Sequence, residues 1–164
     1  MVVLRGLTDH ELSDFLVASR ASYLAARIAN GDDPGRAADA IDDMTQAMFP
    51  GGVPAEGHVV CAIDEDGVRV GSLWIGPAED QPDVLWVWDI EIGAEHRGRG
   101  LGRQAMLLAE QLARSFGARE LGLNVFGGNL VARHLYESLG FEPRRIFMTK
   151  VLRGTTDGDD DDHA

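Results

Sequence analysis

Cysteine is almost absent from these 164 residues: Cys61, in the apolar run VVCAI, stands alone. One thiol closes no disulfide within the chain and builds no thiolate metal cluster, so Cys61 reads as a buried spectator. The five histidines, His10, His58, His96, His134 and His163, show no His-x-x-x-His spacing, and no metal is expected. Positive charge is scarce too. A net charge of −12 leaves no basic face for nucleic acid or an anionic membrane, so neither is expected as a partner. MVVLRGLTDHEL is not a cationic start followed by a long apolar run; no signal peptide or membrane span is expected, and a cytoplasmic location is the default. Internal repeats are missing. No Ser-His-Asp or Cys-His arrangement stands out either, which argues against a hydrolase.

What is present suits one soluble globular domain: 45% of the residues are hydrophobic and 26% charged, in a length that can bury a sizeable core. Residues 1–153 are expected to form that domain. The end, 154–164, holds Asp157, Asp159, Asp160, Asp161 and Asp162 and reads as a solvated, disordered acidic tail. Without it the body is still acidic.

Along the chain, Val2 to Leu7 suits an edge strand. Thr8 and Glu11 make a capping-box pattern, and Leu12, Phe15, Leu16 and Tyr23 keep helical spacing as far as the stop at Asn30-Gly31. A second helix is expected from Pro34 to about Met48, followed by a loop from Phe49 to Gly57. His58–Ile63 and Val68–Ile75 are apolar runs joined by Asp64-Glu65-Asp66-Gly67, a strong hairpin signal. Gly76 to Asp83 reads as a loop. Further on, Glu120–Val125 is expected as a strand, Gly127-Gly128-Asn129 as the start of the last helix, and Phe141–Leu152 as two strands or one bent at Pro143. The mixture of hairpins and helical crossovers predicts an α+β domain with one mixed sheet.

The stretch WVWDIEIGAEHRGRGLGR, Trp86 to Arg103, carries the most information. Its first half alternates Trp86, Trp88, Ile90 and Ile92 against Val87, Asp89 and Glu91, the period of a strand. Asp89 and Glu91 then share one face, about 7 Å apart. Its second half packs Gly98, Gly100 and Gly102 between arginines and leads into Leu101, Ala105, Leu108, Leu112 and Phe116, one face of a helix. Glycine turns at helix starts expose backbone N–H groups that have no partner inside the helix, and the helix dipole adds positive potential there. Such a turn suits a phosphate. It is not a Walker loop, since Gly-Lys-Ser/Thr is missing. The dinucleotide fingerprint fails as well, because Arg103 stands where its third glycine should fall.

What remains, Arg97-x-x-Gly100-x-Gly102 after a strand bearing carboxylates, resembles the pyrophosphate loop of the GNAT superfamily of acyl-CoA-dependent N-acyltransferases. Leu123 to Phe141, LNVFGGNLVARHLYESLGF, is similar to that family's second signature, with Asn129 opening a helix and Tyr136 seven residues on. The resemblance implies a GNAT-like sheet, mostly antiparallel and flanked by helices. In it the strands at Val84–Ile92 and Glu120–Val125 splay apart, and the cofactor enters between them. It implies an N-acetyltransferase that moves an acetyl group from acetyl-CoA, a co-substrate, to a primary amine by direct attack in a ternary complex. Backbone groups from Ile90 to Ile92 would grip the pantetheine. Arg97, Gly98, Arg99, Gly100, Leu101, Gly102 and Arg103 would hold the pyrophosphate, with Asn129 and Arg133 lining the cofactor. Tyr136 would protonate the departing thiolate, and Arg133 is a candidate positive neighbour for it.

Asp89 and Glu91 form an anionic mouth that can attract a cationic acceptor, and one of them can take the amine's proton. Which one is the base stays open. The two N-terminal helices are expected to shape the acceptor site, though they carry no signature. A homodimer is compatible with the sequence, and the competing reading is a catalytically silent coenzyme A binder or interaction module on the same fold.

Overall fold

In the computed structural model, which describes residues 1–78, 81–150 and 152, the helices begin and end where local chemistry provides for it. Helix α1 spans Asp9–Ala29 behind β1, Val2–Gly6. Its capping box is complete: Glu11 N–H donates to Thr8 Oγ1 at 3.3 Å, and Thr8 N–H donates to Glu11 Oε2 at 2.8 Å. A cap of this kind stabilises a helix start by about 1 kcal/mol. Helix α2, Pro34–Met48, opens with Asp33 accepting from Arg36 N–H and with proline at its first position, where no N–H is needed. The acidic tail 154–164 and the boundary before it lie outside the described residues.

Strands β2 (Val59–Glu65) and β3 (Val68–Ala78) form the hairpin the sequence suggests, but Asp64 and Glu65 continue β2, so the connection is two residues and not four. Asp66 and Gly67 both have positive φ, 51° and 83°, the two-residue turn whose twist matches paired strands. After β4 (Gln81–Ile92), α3 (Leu101–Ser115), β5 (Glu120–Leu123) and α4 (Leu130–Ser138) complete the chain of regular elements. The five strands lie in sequence order, antiparallel except for the parallel pair β4–β5. The result is one open mixed sheet within an α+β domain.

Two apolar layers clamp this sheet. On one face Phe15 of α1 and Met48 of α2 pack with Phe49, Val60 and Trp74. On the other, Leu101, Ala105, Met106 and Ala109 of α3 pack with Ile63, Leu73 and Val87, and Tyr136 of α4 and Leu139 just after it lie against them. Leu101 and Met106 are fully buried, and each such side chain contributes about 1.5–3 kcal/mol. Gly71 lets β4 come close, since a Cβ there would sit 2.2 Å from the Glu91 carbonyl oxygen.

Three expectations are corrected. The segment Gly76 to Asp83 is not a loop: β3 runs on to Ala78 and β4 starts at Gln81, so Gly76 and Pro77 continue a strand. Proline's fixed φ near about −65° and missing N–H are tolerated where a ladder is irregular, and the β3–β4 register shifts between Pro77 and Ala78. Second, the alternation in β4 breaks. Trp74 pairs with Asp89 and Ile75 with Val87, which leaves Trp88 as the extra residue of a bulge. Trp88 and Asp89 therefore both face α1, while Val87, Ile90 and Ile92 pack on the α3 side. Third, Phe141–Lys150 forms no strand, and Leu152 lies in none; Val151 is outside the described residues. Strand formation needs a partner, and Ile146, Phe147 and Met148, at 75–89% exposure, have none among the described residues.

Candidate active site

The pairing of β4 with β5 is short. It runs from Val84↔Glu120 to Val87↔Leu123 and then stops, so β4 continues through the bulge to Ile92 with no strand on that side. These are the splayed strands anticipated from the resemblance. Gly93 N–H donates to the Val70 carbonyl at 2.9 Å, towards β3. Backbone groups alternate sides along a strand, so those of Glu91 also face β3 and those of Ile90 and Ile92 face the gap. The Ile92 carbonyl there accepts from Arg97 Nε at 2.8 Å. Ile90 and Ile92 thus border the gap, with the Ile92 carbonyl engaged by Arg97.

At the far end of the gap is the glycine turn. A 3₁₀ turn, Ala94–His96, leads into Arg97, and Gly98 and Gly100 take φ of 75° and 77°. Left-handed backbone of this kind costs other residues roughly 1–2 kcal/mol each. The N–H groups from Gly98 through Arg103 have no hydrogen-bond acceptor among the described residues, while Gln104 N–H begins the α3 ladder on Gly100. Consecutive free donors at a helix start fit an anion. Gly102, 3.4 Å from Leu135 when given a Cβ, seats α3 against α4.

The arginines of this turn are tied to the protein. Arg97 also meets Glu91 at 3.4 Å, Arg99 pairs with Glu65 at 2.7 Å, and Arg103 donates to Ser138 Oγ. Their side chains brace the turn against β4, the β2–β3 hairpin and α4. Leu101 is buried in the core. Asn129 is the N-cap of α4, accepting from Ala132 N–H at 3.2 Å. Arg133 donates to the Gly127 carbonyl at 3.2 Å and lies 3.7 Å from Glu137. It is therefore turned to its own helix start and does not lower the Tyr136 pKa.

Tyr136 itself is half-buried on the core, its ring 5.7 Å from that of Phe141. Burial raises its pKa, and the charge of Asp89 raises it further. The hydroxyl on α4 and the carboxylate on β4 therefore sense each other across the gap. Burial likewise raises the pKa of Asp89; the Ser19 hydroxyl pulls it down, the Glu91 charge pushes it up, and the Ile90 amide pulls it down. Glu91 is more exposed and has its ion pair with Arg97.

Both carboxylates line one cavity of about 280 Å³. Its walls include Asp14, Phe15, Ala18 and Ser19 of α1, Arg69 and Ser72 of β3, and Glu95 and His96 after β4. None of these wall residues was singled out from the sequence. They come from three segments and assemble only in the fold. Beside the cavity lies an aromatic slab: Phe15 stands edge-on to Trp74 at 6.4 Å, and Trp74 stacks on Trp88 at 5.6 Å. Trp74 Nε1 donates to His58 Nδ1 at 3.0 Å, and burial lowers the His58 pKa. Among the described residues no group of three or more His, Cys, Asp or Glu is arranged to hold a metal ion, and no helix is long and apolar enough to cross a membrane.

Residues 24–141 match the model of the family described as Acetyltransferase (GNAT) family. The uncharacterized N-acetyltransferase YycN of Bacillus subtilis (strain 168) is 39% identical over 84 residues, 51% of this chain and 54% of that protein. A crystal structure of YycN from Bacillus subtilis aligns with a TM-score of 0.85 and 27% identity, over 94% of this chain and 100% of the other. The uncharacterized N-acetyltransferase YdgE of the same strain is 29% identical over 155 residues, covering 91% of this chain and 97% of its own. Streptothricin acetyltransferase of Streptomyces lavendulae is 36% identical over 91 residues, 55% of this chain and 47% of that one. In sequence the chain thus spans about half the length of YycN and of streptothricin acetyltransferase, and nearly all of YdgE.

Proposed function

The chain belongs to the GNAT acetyltransferase family, and from that premise we propose that it transfers an acetyl group from acetyl-CoA to a cationic primary amine, by direct attack in a ternary complex. The observation that carries this reading is the gap where β4 leaves β5. Free amides open at one end of it, Asp89 faces α1 beside an anionic cavity, and the Tyr136 hydroxyl lies within reach of the Asp89 charge.

Acetyl-CoA supplies the acyl group as a thioester. The turn Gly98 to Arg103 holds its pyrophosphate, and the Ile90 and Ile92 backbone holds its pantetheine arm. Asp89 and Glu91 draw the protonated amine into the cavity. A lysine-like amine of pKa ~10.4 must lose its proton before attack, at a cost of about 4.6 kcal/mol at pH 7. Asp89 is the better base of the two, because burial strengthens its hold on a proton while Arg97 neutralises Glu91. Tyr136 gives its proton to the departing sulfur. From reference values near 10 and 8.5 that transfer is uphill by about 2 kcal/mol, and the raised Tyr136 pKa widens the gap. A negative Asp89 is what opposes tyrosinate, so taking the amine's proton onto Asp89 makes the Tyr136 proton easier to release.

Calorimetry with coenzyme A, followed by thiol release from acetyl-CoA across a panel of amines, polyamines, aminoglycosides and peptides, tests the proposal. Binding together with amine-dependent thiol release is expected. Binding with no release on any amine would favour the silent coenzyme A binder.

A further inference from the structure

Asp89 owes its direction to two features outside β4's own pattern. The bulge at Trp88 turns it towards α1, and α1 is fixed there by Phe15, which is 4% exposed and packed on Trp74. Ser19 stands one helical turn after Phe15, so it lies on the same inward stripe. Ser19 and Asp89 line the same cavity, and Asp14, one residue before Phe15, lines it too. The charged and titratable groups around Asp89 are Asp14 from α1, Arg69 from β3, Glu91 on β4, Glu95 and His96 after it, and Tyr136 across the gap. Most of them are anionic or hydroxylic. Arg69 has a partner elsewhere, Glu11 at 4.0 Å. Of the side chains that α1 brings to this cavity, Asp14, Phe15, Ala18 and Ser19, the Ser19 hydroxyl is the neutral group able to donate to the Asp89 carboxylate, and its nearness favours the charged form.

Building on the acetyltransferase reading, we infer that Ser19 is a positioning residue whose hydroxyl, set by the Phe15 anchor, holds the Asp89 carboxylate towards the acceptor cavity as the anionic partner of the amine. Asp89 without that donor would face Glu91 and a poorly hydrated wall. It would hold its proton to higher pH, and the amine would lose a counter-ion in the range where the enzyme works.

The test uses Ser19→Ala and Ser19→Thr in the full chain, read in two ways. Carbon-13 NMR titration of the Asp89 carboxyl, with Asp89→Asn to assign the signal, needs neither acceptor nor turnover. Loss of a hydrogen bond to a charged group corresponds to a rise of about one pH unit in the Asp89 midpoint for Ser19→Ala, and Ser19→Thr, which keeps the hydroxyl, should return the wild-type value. The second reading is steady-state kinetics on the best amine. In Ser19→Ala the acid limb of kcat/KM should move up with the NMR midpoint, and acceptor KM should rise severalfold while KM for acetyl-CoA stays put. An Asp89 midpoint unchanged in Ser19→Ala overturns the inference. So does a shifted midpoint that leaves acceptor KM and the acid limb of an active enzyme where they were. A shifted midpoint in a chain that acetylates no amine would instead contradict the proposed function while upholding the placement of Ser19 on Asp89.

Discussion

Replacing Asp89 by asparagine should weaken catalysis and strengthen the fold. Folded Asp89 titrates above the ordinary aspartate value, chiefly because it is buried. The folded state therefore binds its proton more tightly than the unfolded chain does. Stability falls as pH rises through the window between the unfolded and folded values, and the deficit remains above it. Asparagine never charges, so it avoids that deficit. Each unit of elevation is worth about 1.4 kcal/mol, which for a chain of this size corresponds to roughly 3–6 °C in Tm. Asp89→Asn should thus melt above wild type at pH 7.5, and the difference should shrink as the pH is lowered past the range where wild-type Asp89 becomes protonated. Meanwhile kcat/KM for a lysine-like acceptor should drop by ~10²–10⁴, the usual worth of a positioned base. Differential scanning calorimetry at several pH values, with thiol release on the same samples, reads both effects. A mutant less stable than wild type at pH 7.5, or a stability gain that grows on acidification, would refute the burial account of Asp89.

Three other perturbations follow from the same geometry. Tyr136→Phe keeps the ring against Phe141 and removes the proton; kcat should fall by ~10²–10⁴ with little change in Tm, and an unchanged kcat where chemistry is rate-limiting would leave Tyr136 as packing only. Gly100→Ala has open space for its methyl but must hold φ of 77°, so the strain of roughly 1–2 kcal/mol should fall on the anion turn and weaken coenzyme A binding by about tenfold in calorimetry. Affinity equal to wild type would contradict the role given to that turn. Cys61 is buried and its thiol pKa is raised, so a thiol reagent should leave it unmodified in the folded enzyme and label it on unfolding; rapid labelling of native protein would contradict its placement in the core.

The parts of this molecule that could be read from its sequence are those whose cause is local. Thr8 with Glu11 and Asp66 with Gly67 each need only near neighbours to act, and both do so in the fold. The turn from Arg97 to Gly102 was legible for the same reason, since backbone amides at a helix start depend on consecutive residues. Asp89 and Glu91 do share a face, but the bulge that sets which aromatic residues accompany them depends on the partner strand β3, and period-2 counting cannot see it. Phe141–Leu152 has strand-like composition without a partner, and composition alone does not make a ladder. The wall of the cavity beside Asp89 was hidden most completely. Ser19, Arg69 and His96 are unremarkable in their own segments and become a site only when α1, β3 and the end of β4 meet.

Mass spectrometry of the acceptor tests the central claim most directly. The purified chain, Asp89→Asn and Tyr136→Phe would each be incubated with acetyl-CoA and the amine panel, and the amines analysed for an added acetyl group. The account predicts N-acetylation of a cationic primary amine by the wild-type chain, nearly abolished in both variants under conditions where each still binds coenzyme A. Acetylated amine formed equally by all three proteins, or no acetylated amine from a wild-type chain that binds acetyl-CoA, would contradict it.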